Sequence, residues 1–344
     1  MMGSRAGDNK TDLSVVVITR NEEAHIEGCL GAILSAVKEV GGAEVVVVDS
    51  ASTDRTVEIA LSLGVRAVSL KPEWELSPSA GRYVGFHHTG GELIMFVDAD
   101  TRIDRDWFPR AIAAFERPDV AAVTGWLDDV DEQGKVLPYV GRRSPEVCEI
   151  RRLRGIGLYR RAAMRQAGTF NPYLVTEEEA ELALRLRSRG WKLLQLPQQM
   201  GCHMRGAEMQ AEVIRAWRLG RIRSIGRTLL YAVCAGNGLR FCLERLLPTI
   251  LFTLALLALL IIGKGLTLAG VQGGWGIAAG LAGAWMLAVA VRKRSLSGPL
   301  AYVFRHLLLC FGVIAGLVTT RIKWPENYPL DVVQELLLVH HAAR

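Results

Sequence analysis

The sequence predicts an α/β protein, a mainly parallel sheet wound with helices, followed by a C-terminal region suited to a membrane. Three observations carry that reading. Leu93–Val97 is a run of five apolar residues between Gly90-Gly91 and Asp98-Ala99-Asp100, the pattern of a strand buried on both faces. Runs of the same kind recur at Leu13–Thr19 and Glu44–Val48 with helical periodicity between them, and strands alternating with helices mean parallel neighbours. Half of the 344 residues are hydrophobic, and the excess lies almost entirely beyond residue 245.

Taken in order, Leu13–Thr19 ends in Arg20-Asn21-Glu22-Glu23. Ile26, Leu30, Ile33, Leu34 and Val37 then mark one helical face up to Gly41-Gly42,. Glu44–Val48 runs into Asp49, and Asp54 or Thr53 is placed to cap a helix carrying Val57, Ile59, Ala60 and Leu63,. Val65–Leu70 is a further strand. No G-x-G-x-x-G follows the first strand, so a dinucleotide-binding Rossmann domain is unsupported. Asp98 and Asp100, one residue apart at the end of a buried strand, point to the same side and can hold a hard divalent cation against a diphosphate. Open α/β sheets bind ligands at this edge of strand C-termini. Trp107–Phe115 reads as a helix and Val120–Trp126 as a strand. Leu127–Arg143 is a polar excursion with Asp128, Asp129, Asp131 and Glu132, read as a loop. Glu177-Glu178-Glu179 opens a helix, where acids suit the positive end of the dipole. Trp191–Leu196 reads as a last strand closed by Pro197.

Four segments, "VVVITRNEEAHI", "VVVVDSASTDRT", "SAGRYVGFHHTGGELIMFVDADT" and "TEEEAELALRLRSRGW", resemble the successive motifs of family 2 glycosyltransferases with the GT-A fold. The resemblance covers roughly Leu13 to Pro197. It implies that Thr19, Arg20, Asn21 and Glu22 line a nucleotide pocket with Asp49 and Asp54. Arg82 matches the family's basic residue ahead of the metal strand. Asp98 and Asp100 take the nucleotide and metal roles, with Mg²⁺ or Mn²⁺ as the cofactor. Gly155 and Gly157 fall in the segment where the backbone approaches the sugar. The family's catalytic Asp aligns with Glu179 when Leu182 and Arg185 anchor the motif, and Glu178 is the alternative. Glu for Asp is a departure that lengthens the side chain by one methylene. His203 and Arg205 follow the last strand, where similar family members carry a His that can reach the diphosphate.

From Ile214 the character changes. Ile214, Trp217, Ile222, Ile225 and Leu229 share one helical face, with Arg215, Arg218, Arg223 and Arg227 around it, as in helices lying in a membrane interface. Leu246–Ile262 and Trp275–Val291 are apolar runs at the lower limit of a span,. Arginines flank their outer ends and only Lys264 lies between, so the positive-inside rule puts the catalytic domain in the cytosol. Pro299–Thr320 is a third apolar stretch, broken by Arg305-His306, and the sequence leaves its path open. The net charge is +6, and the basic residues crowd in Arg215–Arg245 and Arg292-Lys293-Arg294; that fits a membrane surface better than a nucleic-acid groove, so no nucleic-acid partner is expected. Six scattered cysteines without a C-x-x-C pair point to reduced thiols,. The N-terminus has no apolar core of a signal peptide.

The expected division is a disordered start over 1–12, a catalytic domain over 13–210 and interfacial helices over 211–245. A region of two or three spans over 246–322 and a tail over 323–344 complete it. The resemblance implies an inverting, metal-dependent transfer of sugar from a nucleotide-sugar donor at a bacterial inner membrane. The membrane portion points to a lipid-linked (polyprenyl) saccharide acceptor of a surface polysaccharide or glycan. Two rivals stand beside it: transfer to polyprenyl phosphate itself, and an inactive nucleotide-sugar-binding scaffold.

Overall fold

The computed structural model describes residues 12–131, 133–137, 143–153, 156–204, 220–293, 298–330 and 334–336. The chain forms two compact units, Met1–Met209 with Ile322–Arg344, and Gln210–Arg321.

The first unit opens with β1 (Leu13–Thr19), α1 (Ile26–Lys38), β2 (Glu44–Asp49), α2 (Thr56–Ser62), β3 (Arg66–Ser69), α3 (Pro78–His87) and β4 (Leu93–Asp98). Then come β5 (Thr101–Ile103), α4 (Trp107–Ala113), β6 (Val120–Val130), β7 (Cys148–Glu149), β8 (Gly157–Arg160), α5 (Arg161–Ala167), α6 (Glu178–Ser188) and β9 (Lys192–Met204). A late strand, β10 (Gln334–Leu336), completes one sheet of order β10-β3-β2-β1-β4-β8-β6-β9-β5, with β7 on β9. The sheet is mixed. β3, β2, β1 and β4 are parallel, as is β6 with β9, while β8, β5, β7 and β10 join antiparallel.

The central parallel strands β1 and β4 are almost wholly apolar and buried, as strands covered on both faces must be. Val15 and Val17 of β1 pack in one core with Ile26, Leu30 and Ile33 of α1. The alternate residues Val16 and Ile18 meet α3, which sits unusually close. A Cβ at Gly85 would lie 2.2 Å from Val16 Cγ1, and one at Gly81 3.0 Å from Ile18 Cγ2. Two small residues one turn apart let α3 press on β1 and fix Arg82 between them.

Three local expectations are corrected. Arg55, not Asp54 or Thr53, holds the cap position of α2, although Asp54 Oδ1 still accepts from Thr56 N at 3.0 Å. The excursion after Trp126 begins as strand, since β6 continues to Val130. β9 runs through Pro197 to Met204. Its register on β6 jumps between the pairs Thr124–Gln195 and Trp126–Gln199, and a bulge is where a sheet tolerates proline.

The second unit holds α7 (Arg221–Cys234), α8 (Gly238–Phe241), a π turn (Cys242–Leu246), α9 (Leu247–Leu268), α10 (Gly274–Lys293) and α11 (Gly298–Thr319). Among the described residues, two helices are long and apolar enough to cross a membrane, the continuous run Gly238–Leu268 and Leu300–Thr319, while Gly274–Ala288 is shorter. Ile222 and Gly226 of α7 are buried and turned onto Gly312 and Gly316 of α11, so part of the apolar face expected to meet lipid is covered by protein. Ile214, Arg215, Trp217 and Arg218 lie outside the described residues.

Overfilling the α3–β1 contact is the direct check. Gly85→Val is expected to destabilise the first unit by about 1–3 kcal/mol, the usual cost of overpacking, read as a lower urea midpoint with an unchanged slope.

Candidate active site

The C-terminal ends of β1, β2 and β4 open on one edge, and their loops are tied together before any ligand is considered. Asn21 is left-handed (φ 55); its N–H donates to Ser52 Oγ at 2.8 Å, and its Oδ1 accepts from Thr53 N at 2.8 Å. Asp49 is 2% exposed and holds its own loop and the end of β3, accepting from Ser52 N at 3.2 and 3.1 Å and from Ser69 Oγ at 3.2 Å. Asp54 accepts from Glu23 N and Thr56 Oγ1. Against some desolvation, hydrogen bonds from Thr56 and Glu23 hold its carboxyl below the usual carboxylate value. Glu22 donates its N–H to Thr56 Oγ1 and turns its carboxylate to His25, both at 2.8 Å. Burial outweighs His25 and lifts the Glu22 pKa. Asp49, Asp54 and Glu22 are therefore committed to loop geometry. Arg20 is exposed, and the buried Thr19 Oγ1 has no hydrogen-bond partner.

The centre of the edge is a buried cation. Arg82, 2% exposed, donates through Nη2 to Asp98 Oδ1 at 3.0 Å and through Nη1 to Glu178 Oε1 at 2.9 Å; Glu179 Oε1 lies 3.4 Å from Nη1. Its guanidinium stands 5.5 Å from the Phe170 ring centroid. Burial works against the charge, but the carboxylates win and raise its pKa. The donors of Arg82, the basic residue ahead of the metal strand, point at carboxylates of this chain. Glu179 is 17% exposed and Glu178 7%. Burial first, and the charge of Glu178 second, push the Glu179 carboxyl well above the usual range, with Arg82 opposing. Glu177, left-handed at φ 62, starts α6 and contacts Arg152 Nη1 at 3.4 Å. The described non-glycine residues with positive φ are Asn21, Ala51 and Glu177. All of them border this edge, where backbone strain commonly collects.

A second cluster lies beside the first. His203 Nε2 is 3.0 Å from Asp100 Oδ2, and its Nδ1 is 3.1 Å from Asp129 Oδ1. The sheet makes this contact, since His203 of β9 stands opposite both Asp129 of β6 and Thr101 of β5. The hydrogen bond that the ring donates to Asp100 lifts the imidazole pKa to about 9, against burial and with help from Asp129. His203 thus sits within the sheet, not after it, and Asp129 is a site residue that sequence reasoning had left in a solvated loop. β4 ends at Asp98, so strand alternation does not set the direction of Asp100, and the two carboxylates take different partners. Arg205 lies outside the described residues.

Among the described residues no group of three or more His, Cys, Asp or Glu encloses a metal ion. Asp100 and His203 nevertheless fit one. Both are about a quarter exposed (26% and 25%), they offer one oxygen and one nitrogen on converging atoms, and Asp129 holds the far ring nitrogen as carboxylates do behind metal-bound histidines. The rest of a shell would come from ligand oxygens and water.

A mixed sheet whose strand ends gather a D-x-D, a buried arginine and paired glutamates is the arrangement of a GT-A domain. Residues 14–172, from β1 through α5, match the model of glycosyl transferase family 2, and the chain is similar to that family over this segment. The chain is 23% identical over 201 residues to glycosyltransferase AglE of Haloferax volcanii, covering 56% of this chain and 66% of that one. It is 33% identical over 136 residues to the low-salt glycan biosynthesis hexosyltransferase Agl6 of the same organism, covering 39% and 31%. The chain thus spans less than two thirds of the length of these curated relatives. Among solved structures, the mannosyltransferase PcManGT of Pyrobaculum calidifontis with GDP-Man and Mn²⁺ shares the fold at 19% identity and a TM-score of 0.59, covering 90% of this chain and 88% of that one. TarS 1-349 of S. aureus with UDP-GlcNAc does so at 17% identity and a TM-score of 0.52, covering 90% and 91%.

Removing the cation tests the centre of the site. Arg82→Met leaves buried carboxylates unpaired and is expected to cost about 3–5 kcal/mol. The pKa of Glu179 is raised in the fold, so the folded state holds more protons than the unfolded chain and loses stability as pH rises through that value. Without Arg82 this decline steepens; denaturation midpoints from pH 5 to pH 8 measure it.

Proposed function

We propose that this chain transfers a sugar from a nucleotide-diphosphate donor to the hydroxyl of a lipid-linked saccharide at a membrane surface, with inversion at the anomeric carbon. The observation that carries the reading is the Arg82 knot, which joins the donor-side Asp98 to a buried pair of carboxylates, Glu178 and Glu179. The donor's nucleotide is assigned to the edge formed by Thr19 to Glu22 and the Asp49–Asp54 loop. There the orphan Thr19 Oγ1 and the exposed Arg20 remain available.

Glu179 serves as the base. It accepts the proton of the acceptor hydroxyl as that oxygen bonds to the anomeric carbon. The bond from that carbon to the diphosphate oxygen breaks, and its electron pair leaves with the nucleoside diphosphate. One displacement with one base inverts the centre. A carboxyl whose pKa lies closer to neutrality is a better proton acceptor than a fully solvated one. Glu178, more buried, holds Arg82 in place. Asp100 and His203 would hold Mg²⁺ or Mn²⁺, which when bound neutralises charge on the leaving diphosphate. Asp129 orients His203 for that role.

The long apolar helices and the flanking arginines support a multi-pass location in a bacterial inner membrane, with the catalytic unit cytosolic. A membrane-held acceptor suits that place.

Incorporation of radiolabelled sugar into lipid extract tests the reading. Glu179→Gln is expected to lower kcat by at least about 100-fold, within the range for general-base loss, with donor binding nearly unchanged. A phosphate monoester is already largely ionised at pH 7, so near-normal turnover in Glu179→Gln would move the acceptor to polyprenyl phosphate. Glu178→Gln is expected to keep most activity and to shift the acid limb of the kcat profile to lower pH, because the charge of Glu178 raises the Glu179 pKa. Excess EDTA, or Asp100→Asn, is expected to abolish incorporation; full activity in EDTA would refute the metal. Absence of any transfer by the intact protein, with donor still bound, would leave a scaffold.

A further inference from the structure

The helical unit leaves the catalytic unit after Met209 and returns to it at Ile322. The return is built firmly. Tyr328 is 3% exposed, and its ring meets Trp74, Tyr83 and Tyr173 edge-on at centroid distances of 5.9, 6.0 and 5.7 Å. Its hydroxyl donates to the Glu75 carbonyl at 3.0 Å, and Lys323 Nζ pairs with Glu75 Oε1 at 2.6 Å. β10 then extends the sheet on β3. Whatever bilayer the helices enter, both ends of the helical unit are therefore on the catalytic side. The number of crossings between them is even, so α9, α10 and α11 cannot all cross.

α9 and α10 are an antiparallel hairpin. A Cβ on Gly263 would meet the Trp275 ring at 2.6 Å and one on Gly274 would meet Leu266 at 2.8 Å, while Phe252 lies 5.7 Å from Trp285 nearer the open end. Their 22 and 20 residues reach about 33 and 30 Å, the thickness of the hydrocarbon. Arg240 and Arg245 precede the hairpin, Arg292 and Lys293 end it, and Lys264 is the one cation near its turn.

α11 behaves differently. His306 Nδ1 meets Thr249 Oγ1 at 3.0 Å, and one turn later Cys310 Sγ meets Thr253 Oγ1 at 2.8 Å. α11 therefore advances in the same sense as α9, from the end where α9 starts. A crossing helix with that sense would deliver its C-terminus to the far face. Yet α11 ends at Thr319, just before the chain rejoins the catalytic unit at Ile322. Instead it passes to α7, where a Cβ on Gly312 would lie 2.2 Å from Ile222 Cγ2 and one on Gly316 2.1 Å from the Arg223 carbonyl. Along α11, Leu300, Phe304, Leu307, Phe311, Ile314 and Val318 form an apolar stripe, each 46–79% exposed. Arg305 flanks it, and Arg221 and Arg223 are exposed on α7.

We propose that only α9 and α10 cross the membrane. α11 lies with α7 in the headgroup layer of the leaflet on the catalytic side, its stripe on the acyl chains and the arginines on anionic lipid heads. This rests on the membrane reading above.

The full chain in intact cells, treated with a membrane-impermeant maleimide and mapped by peptide mass, tests it. Val271→Cys, in the α9–α10 turn, is expected to be labelled from outside. Gly298→Cys at the start of α11 and Glu326→Cys in the returning strap are expected to react only after permeabilisation. Outside labelling of Gly298→Cys would make α11 the return crossing and overturn the proposal, as would outside labelling of Glu326→Cys. Protection of Val271→Cys together with recovery of the protein in the soluble fraction would overturn the membrane reading itself. A bimane on Phe311→Cys, in vesicles containing phosphatidylglycerol, is expected to be quenched by lipids brominated high on the acyl chain. Quenching by aqueous iodide alone would refute the lipid contact.

Discussion

Everything at the candidate site hangs on one buried charge. A guanidinium 2% exposed carries a desolvation cost of several kcal/mol, and only close, well-directed carboxylates offset it. Arg82 meets three, from β4 and from the first turn of α6. The two elements are some eighty positions apart in sequence, and the cation makes their separation in space a fixed quantity. It is itself fixed because Gly81 and Gly85 bring α3 onto β1. A packing feature with no chemistry of its own thus sets the distance between the donor side and the proposed base.

The same arrangement divides the labour of two adjacent glutamates. Glu178 is the more buried and is hydrogen-bonded to Arg82, whereas Glu179 keeps more exposure and a raised pKa. Their roles separate by environment, since both are the same residue type on the same helical turn. On the other flank, Asp100 in the turn before β5, His203 of β9 and Asp129 of β6 form a line. There the sheet register, not local sequence, builds the contact.

One edge of the sheet is closed by a segment distant in sequence. β3 would be an edge strand open to pairing, and β10 covers it with a segment that lies beyond all the apolar helices in sequence. The covering strand ties the far end of the chain to its beginning. The topology proposed for the helical unit rests on that closure more than on hydropathy, which rates α11 a fair span.

The sequence by itself determined the parallel half of the sheet, the D-x-D at its edge, the acidic start of α6 and the apolar character beyond residue 245. These are local: buried strands need unbroken apolar runs, and helix starts favour acids. Tertiary structure alone decided that Arg82 faces carboxylates of its own chain, that Asp129 stands behind His203, and that β9 passes through Pro197 on a bulge. It also decided that the tail returns to β3. Each of these depends on pairing between segments distant in sequence, and strand register, burial of a charge and closure of a sheet edge leave no periodic mark in the residues that take part.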